Sequence, residues 1–252
     1  MCYLSLALWH LGYVDQASQL ASKAVSRAEE ISHPHTLVYT LCNARGMMDV
    51  FRRQSDDTKS YAGVVTSLCS EHAFPFWAAG GQIFAGWAAI NQGEVDAGVD
   101  ELIRGLAAWR KTGARLWLPI FLALQAEGHF KSGRNQAALD SIEQAVATSD
   151  ETGERWAIAE ILRIKANLLL ATGRGRREVE RLLIESLEIA RRQQALFWEL
   201  RTSCDLGRLW QEQGRNKEAL KLLGTIYGRF TEGFETTDLH HAKALIEGLN
   251  AA

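Results

Sequence analysis

Seven histidines and four cysteines are the residues of this 252-residue chain best suited to metal or nucleophilic chemistry, and their spacing decides what they can do. His33-Pro34-His35 sets two imidazoles at a turn, without the third or fourth ligand that zinc requires. His240 and His241 are adjacent, so a helix would point them in different directions. Cys2, Cys42, Cys69 and Cys204 include no CxxC pair and read as reduced core thiols, which points to a cytoplasmic setting. There is no GxSxG elbow and no family signature around a cysteine. Nor is there a GxxxxGK[ST] phosphate loop. The nearest glycine cluster, Gly173-Arg174-Gly175-Arg176-Arg177, lacks its spacing and its Lys-Ser/Thr pair. We therefore expect no catalytic residue, no cofactor and no metal site in this chain.

Two further groups could bind rather than react. Arg174, Arg176, Arg177 and Arg181 could grip a phosphate or carboxylate with guanidinium forks, although a solvated loop explains them as well. Trp77, Trp117, Trp156 and Trp198 recur 40, 39 and 42 residues apart and could stack bases. Recurrence at one structural position instead favours packing between neighbouring units, each meeting the same environment. With 28 basic and 30 acidic side chains the formal charge is −2, too small to gather nucleic acid or anionic lipid at long range. The longest weakly charged apolar stretch, Phe74 to Val95, is broken by Gly80, Gly81, Gln82, Gly86, Asn91 and Gln92 and reads as a buried helix. No signal peptide is visible.

The elements that must position any site follow from an internal period. Gly12, Gly93, Gly133, Gly173 and Gly214 are separated by 81, 40, 40 and 41 residues, which places a missing member near Arg53. Seven residues before these positions stand Ser5, Gly46, Gly86, Ala126, Ala166 and Gly207, all small. After the turn come Ala17, Thr58, Gly98, Ala138, Val179 and Ala219. Short side chains let two helices cross closely, so the columns mark the crossing within each pair. Asp15, Ser55, Asp96, Asn135 and Asn216 are candidates to cap the second helices. Apolar spacing is helical throughout, as at Leu102, Leu106 and Trp109, and three prolines permit long helices.

The small residue, the glycine seven later and the alanine five beyond resemble the tetratricopeptide (TPR) repeat, although the period is about 40 rather than 34. The fold expected is all-α: a right-handed superhelix of about six antiparallel helix pairs. Repeats are expected at about 1–34, 35–74, 75–114, 115–153, 154–194 and 195–232, with a capping helix over about 238–249, in a single domain. Three stretches, ALWHLGYVDQA, LAAWRKTGARLWLPIFLALQAEGHFKSGR and IYGRFTEGFETTDLHHAKAL, resemble the C-terminal TPR region of bacterial proteins that carry a class III adenylyl or guanylyl cyclase domain and an AAA-type ATPase domain. That resemblance implies a sensory or regulatory module, and the short first helix implies a parent protein that continues upstream.

In TPR stacks the first helices line a concave groove. Carried over by register from that resemblance, the lining here is Asn43, Met47, Ile83, Trp87, Glu127, Phe130, Glu160, Arg163, Asn167, Arg201 and Arg208, with Gly80 among them. It is apolar toward the N-terminus and charged toward the C-terminus. The expected partner is an acidic, partly apolar protein or peptide segment, or the upstream cyclase and ATPase domains of a parent, with no nucleic acid and no membrane. Two other readings stand beside this one. The chain could be named for the enzymatic activity of its parent, or it could read RNA one base per repeat.

Overall fold

The computed structural model describes residues 1–251, and among them every regular element is helical. Helices follow one another in the expected order: α1 (Cys2–His10) and α2 (Val14–Ile31), α3 and α4 (Pro34–Thr40, Met47–Arg52) with α5 (Thr58–His72), α6 (Pro75–Asn91) with α7 (Val95–Lys111). Then come α8 (Leu118–Lys131) with α9 (Asn135–Thr152), α10 (Ile158–Ala171) with α11 (Arg176–Arg192), and α12 (Leu196–Glu212) with α13 (Asn216–Tyr227), followed by α14 (Thr237–Ala251). The chain forms two compact units. Unit 1 comprises Met1–Ala7 and Gln16–Glu154, and unit 2 comprises Leu8–Asp15 and Arg155–Ala252.

Both small columns are buried. A Cβ on Gly86 would stand 2.5 Å from the Leu102 amide nitrogen and 2.7 Å from the Gly98 carbonyl oxygen. A Cβ on Gly98 would meet the Gly86 carbonyl at the same 2.7 Å. The α6–α7 crossing thus brings backbone against backbone, which only glycine allows. At the turn that closes the second pair, Arg53 takes φ +55, the left-handed conformation that Gly93 and its counterparts adopt elsewhere. Arg53 therefore occupies the place of the missing glycine.

Two local features differ from expectation. Asp15, Asp96, Asn135 and Asn216 fall inside the first turns of their helices, and the actual N-cap residues of α7, α9 and α13 are Glu94, Arg134 and Arg215, without side-chain capping bonds. The tight turns close through backbone bonds instead, such as the Glu94 N–H to the Ala89 carbonyl at 2.9 Å. Ser55 also contributes its backbone, its carbonyl accepting from the Thr58 N–H. The second feature is a π-helical turn, Leu41–Gly46, between α3 and α4. There the Asn43 amide donates to the Tyr39 carbonyl at 2.7 Å, and Gly46 lies against the Phe84 ring.

Candidate functional site

In unit 1 the register residues divide by burial. Met47 and Ile83 have 0% exposure, and Asn43 is buried with its amide bonded inside its own helix. Trp87 is nearly covered, and its carbonyl accepts from the Asn91 amide at 2.8 Å. Glycines explain the coverage. Gly105 would place a Cβ 2.8 Å from the Ile83 amide nitrogen, and Gly80 lies beside Trp109, so neighbouring helices close over positions that a standard repeat leaves open. Asn43, Met47 and Ile83 pack the core rather than present a surface, while Glu127 and Phe130 remain half-exposed.

In unit 2 the register brings together a network of opposite charges. Glu160 accepts two bonds from Arg163, Nε at 2.7 Å and Nη2 at 2.9 Å, and a third from Arg201 Nη1 at 3.0 Å. Arg163 also reaches Asp205 at 2.7 Å, and Asn167 donates to the same carboxylate at 2.7 Å. Arg201 is held on its far side by Asp238, at 3.0 Å from Nε and 2.8 Å from Nη2. Arg208, half-exposed, donates to Asp205 at 3.0 Å. Burial by itself would lower the Arg201 pKa, but Asp238 and Glu160 outweigh it and keep the guanidinium charged. The three arginines thus face three carboxylates of the chain itself, so their charge is balanced internally.

Asp205 and Asp238 were not among the expected site residues. A signal for them exists in the sequence: Glu160 to Arg201, Arg163 to Asp205 and Arg201 to Asp238 are pairs 41, 42 and 37 residues apart, roughly one period each. Aromatic residues surround this network. Trp156 stacks on Trp198 with centroids 5.7 Å apart, and Trp198 and Trp117 are buried, so these recurrent tryptophans pack. Trp9 lies under Arg201 and His10 beside Trp198. Burial pushes the His10 imidazole down to about 3, assisted by the Arg201 charge and opposed by Glu160.

The other candidates have structural partners. The His33 ring nitrogen caps α3 by accepting from the Thr36 N–H, and His35 Nε2 accepts from the Trp77 indole at 3.1 Å. Arg176 pairs with Glu212 at 2.7 Å and Arg181 with Glu185 at 3.3 Å.

No family profile matches the chain. An uncharacterized protein of Rhizobium meliloti (strain 1021) is 24% identical over 192 residues, 76% of this chain and 19% of that protein. The chain thus spans about a fifth of the length of the curated relative it matches. Among solved structures, a Podosopora anserina putative kinesin light chain with nearly identical TPR-like repeats aligns with TM-score 0.53 and 20% identity, covering 78% of this chain and 96% of that one. A single-substitution variant of the same Podosopora anserina protein gives TM-score 0.53 and 19% identity, over 81% and 94%. Similarity at this level speaks to architecture alone, and with the paired helices and buried small columns it leads to one conclusion: the chain has the fold of TPR-like helical repeats.

Proposed function

We propose that this chain is a non-catalytic scaffold that holds a protein segment against its first helices, and that it serves as a sensory or regulatory module of a larger bacterial signalling protein. The TPR-like fold carries this reading, because stacked helix pairs offer repeated faces for an extended or helical segment. Glu127, Phe130, Asn167 and Arg208 are the register positions that remain accessible. Phe130 offers apolar area, and Arg208 offers a guanidinium that a partner carboxylate can share with Asp205. A relative several times longer than the matched segment is consistent with a multidomain parent, such as one with cyclase and ATPase domains. Four free, buried cysteines suit a reducing cytoplasm.

Selection of a displayed peptide library on the intact chain tests this reading. Peptides held on unit 1 are expected to lose affinity with Phe130→Ala at any salt concentration, and peptides held on unit 2 with Arg208→Ala chiefly at low salt. A selection that yields no binder, or binders lost only through changes on the second helices, sinks the proposal.

A further inference from the structure

Unit 2 is not made of consecutive repeats alone, because the segment Leu8–Asp15 packs within it. Repeats in a solenoid ordinarily touch their sequence neighbours. Here the Asp15 N–H donates to Glu232 Oε1 at 2.9 Å and the Gly233 N–H donates to the Asp15 carboxylate at 3.1 Å, across 217 and 218 positions.

The segment is held in a chemically specific way. Its Trp9 indole stacks on Phe197 with centroids 4.7 Å apart and planes at 16°, and meets Trp198 edge-on. The Arg201 guanidinium carbon lies 5.2 Å from the Trp9 ring, and Glu160 and Asp238 fix it there. Three residues on, Gly12 at φ +97 lies against the Leu196 side chain, where an added Cβ would come within 2.5 Å of Cδ2. Val14 then fills the space that Gly233 leaves by lacking a side chain. Trp9 and Val14, at 0% and 1% exposure, are its buried anchors, and Leu11 and Tyr13, each 43% exposed, form its outer side.

We infer that Phe197, Trp198, Arg201 and the Glu232–Gly233 edge form the partner-binding seat of unit 2, that the seat recognises a helix end bearing tryptophan, glycine three residues later and a carboxylate three beyond that, and that Leu8–Asp15 is its internal occupant. The inference rests on the scaffold reading and gives it a partner class and a means of regulation. Arg201 serves the indole face rather than a carboxylate, because Glu160 and Asp238 already neutralise it. A tethered occupant competes at a high effective concentration, so a partner meets the seat only in the fraction of molecules whose own Trp9 has left.

The test uses the intact chain and a fluorescein-labelled peptide copying Ser5–Ser18, followed by anisotropy. The Trp9→Ala chain, with its internal competitor weakened, is expected to bind the peptide at least ~10-fold more tightly than the natural chain. Asp15→Ala, which removes the clasp to Gly233 while leaving the stacked rings in place, is expected to shift affinity the same way by less. The peptide carrying Trp9→Ala should not bind any of the three chains. Circular dichroism and melting curves identify which chains are folded. Failure of both folded variants to bind the peptide overturns the inference, as does binding that ignores the peptide tryptophan. If Trp9→Ala does not fold, Asp15→Ala decides alone. Library-selected peptides that depend on Phe130 or on Arg208 but do not compete with the Ser5–Ser18 peptide would leave the scaffold reading intact and remove only the seat.

Discussion

Arg163 and Asp205 lie 42 residues apart, and the guanidinium of one donates to the carboxylate of the other at 2.7 Å. The pair joins successive first helices, α10 and α12, at equivalent stages of the repeat. Arg163 also forms its two-pronged bond to Glu160, so its removal takes two bonds from Glu160, which keeps Arg201, and one from Asp205, which keeps Asn167 and Arg208.

Arg163→Ala is accordingly expected to destabilise the protein by roughly 1.5–3 kcal/mol, because buried charged hydrogen bonds are lost while both carboxylates keep a second partner. Arg208→Ala, which removes a half-exposed partner of the same Asp205, is expected to cost less than about 1 kcal/mol. Urea unfolding of both variants provides the check. Equal effects would mean that the network is solvated rather than buried.

The glycine crossing gives a second contrast. At Gly86 an added methyl meets backbone atoms of Leu102 and Gly98, which cannot rotate away, so Gly86→Ala is expected to cost at least ~1–3 kcal/mol from overpacking. Gly63 lies in α5, exposed, with nothing within 4 Å of an added Cβ. Gly63→Ala is expected to stabilise by about 0.5–1 kcal/mol through helix propensity. Denaturant midpoints that move in the same direction for both would refute the crossing geometry.

What was legible in the sequence follows from what repeats. The small columns and turn glycines recur because the same crossing is built in each pair, so period and spacing disclosed them along with the vacancy at Arg53. The caps were misplaced by one or two positions, since Asn135 and Asn216 have capping chemistry yet the tight turn leaves them at the first helical residue. Burial of Ile83 was not legible from a register borrowed from a 34-residue motif, because it depends on how closely the glycine-bearing α7 approaches at Gly105. The placement of Trp9 under Arg201 occurs once, between distant segments, and leaves no periodic trace.

Turn chemistry supplies a third expectation. Ala73 ends α5 in the left-handed region at φ +54, and it is exposed. A Cβ there costs about 1–2 kcal/mol, which glycine escapes, while the greater freedom of glycine in the unfolded chain returns part of that. Ala73→Gly is expected to stabilise by about 0.5–1 kcal/mol with an unchanged denaturant slope. A lower midpoint would show that the alanine is not strained.

The His10 ring, 4.3 Å from Trp198, makes stability depend on pH in a direction that can be worked out. Its imidazole binds a proton in the unfolded chain near the ordinary value of 6.5, but in the folded protein only near about 3, because burial and Arg201 oppose the charge. Between those values the unfolded state holds more protons, so stability rises with pH. The contribution is fully present above about 6.5 and is lost progressively as the pH falls toward about 3. One such proton amounts to a slope of at most ~1.4 kcal/mol per pH unit. Carboxylates such as Glu180, whose pKa Arg215 and Trp210 hold down against the opposing effect of burial, add acid sensitivity lower in the range. His10→Gln retains those groups, so unfolding free energies measured from about pH 7.5 to about 4.5 should show a shallower slope for the variant, by up to one proton, whatever its stability at the upper end. Parallel slopes for the two proteins would show that His10 can take up its proton without leaving its place beside Trp198.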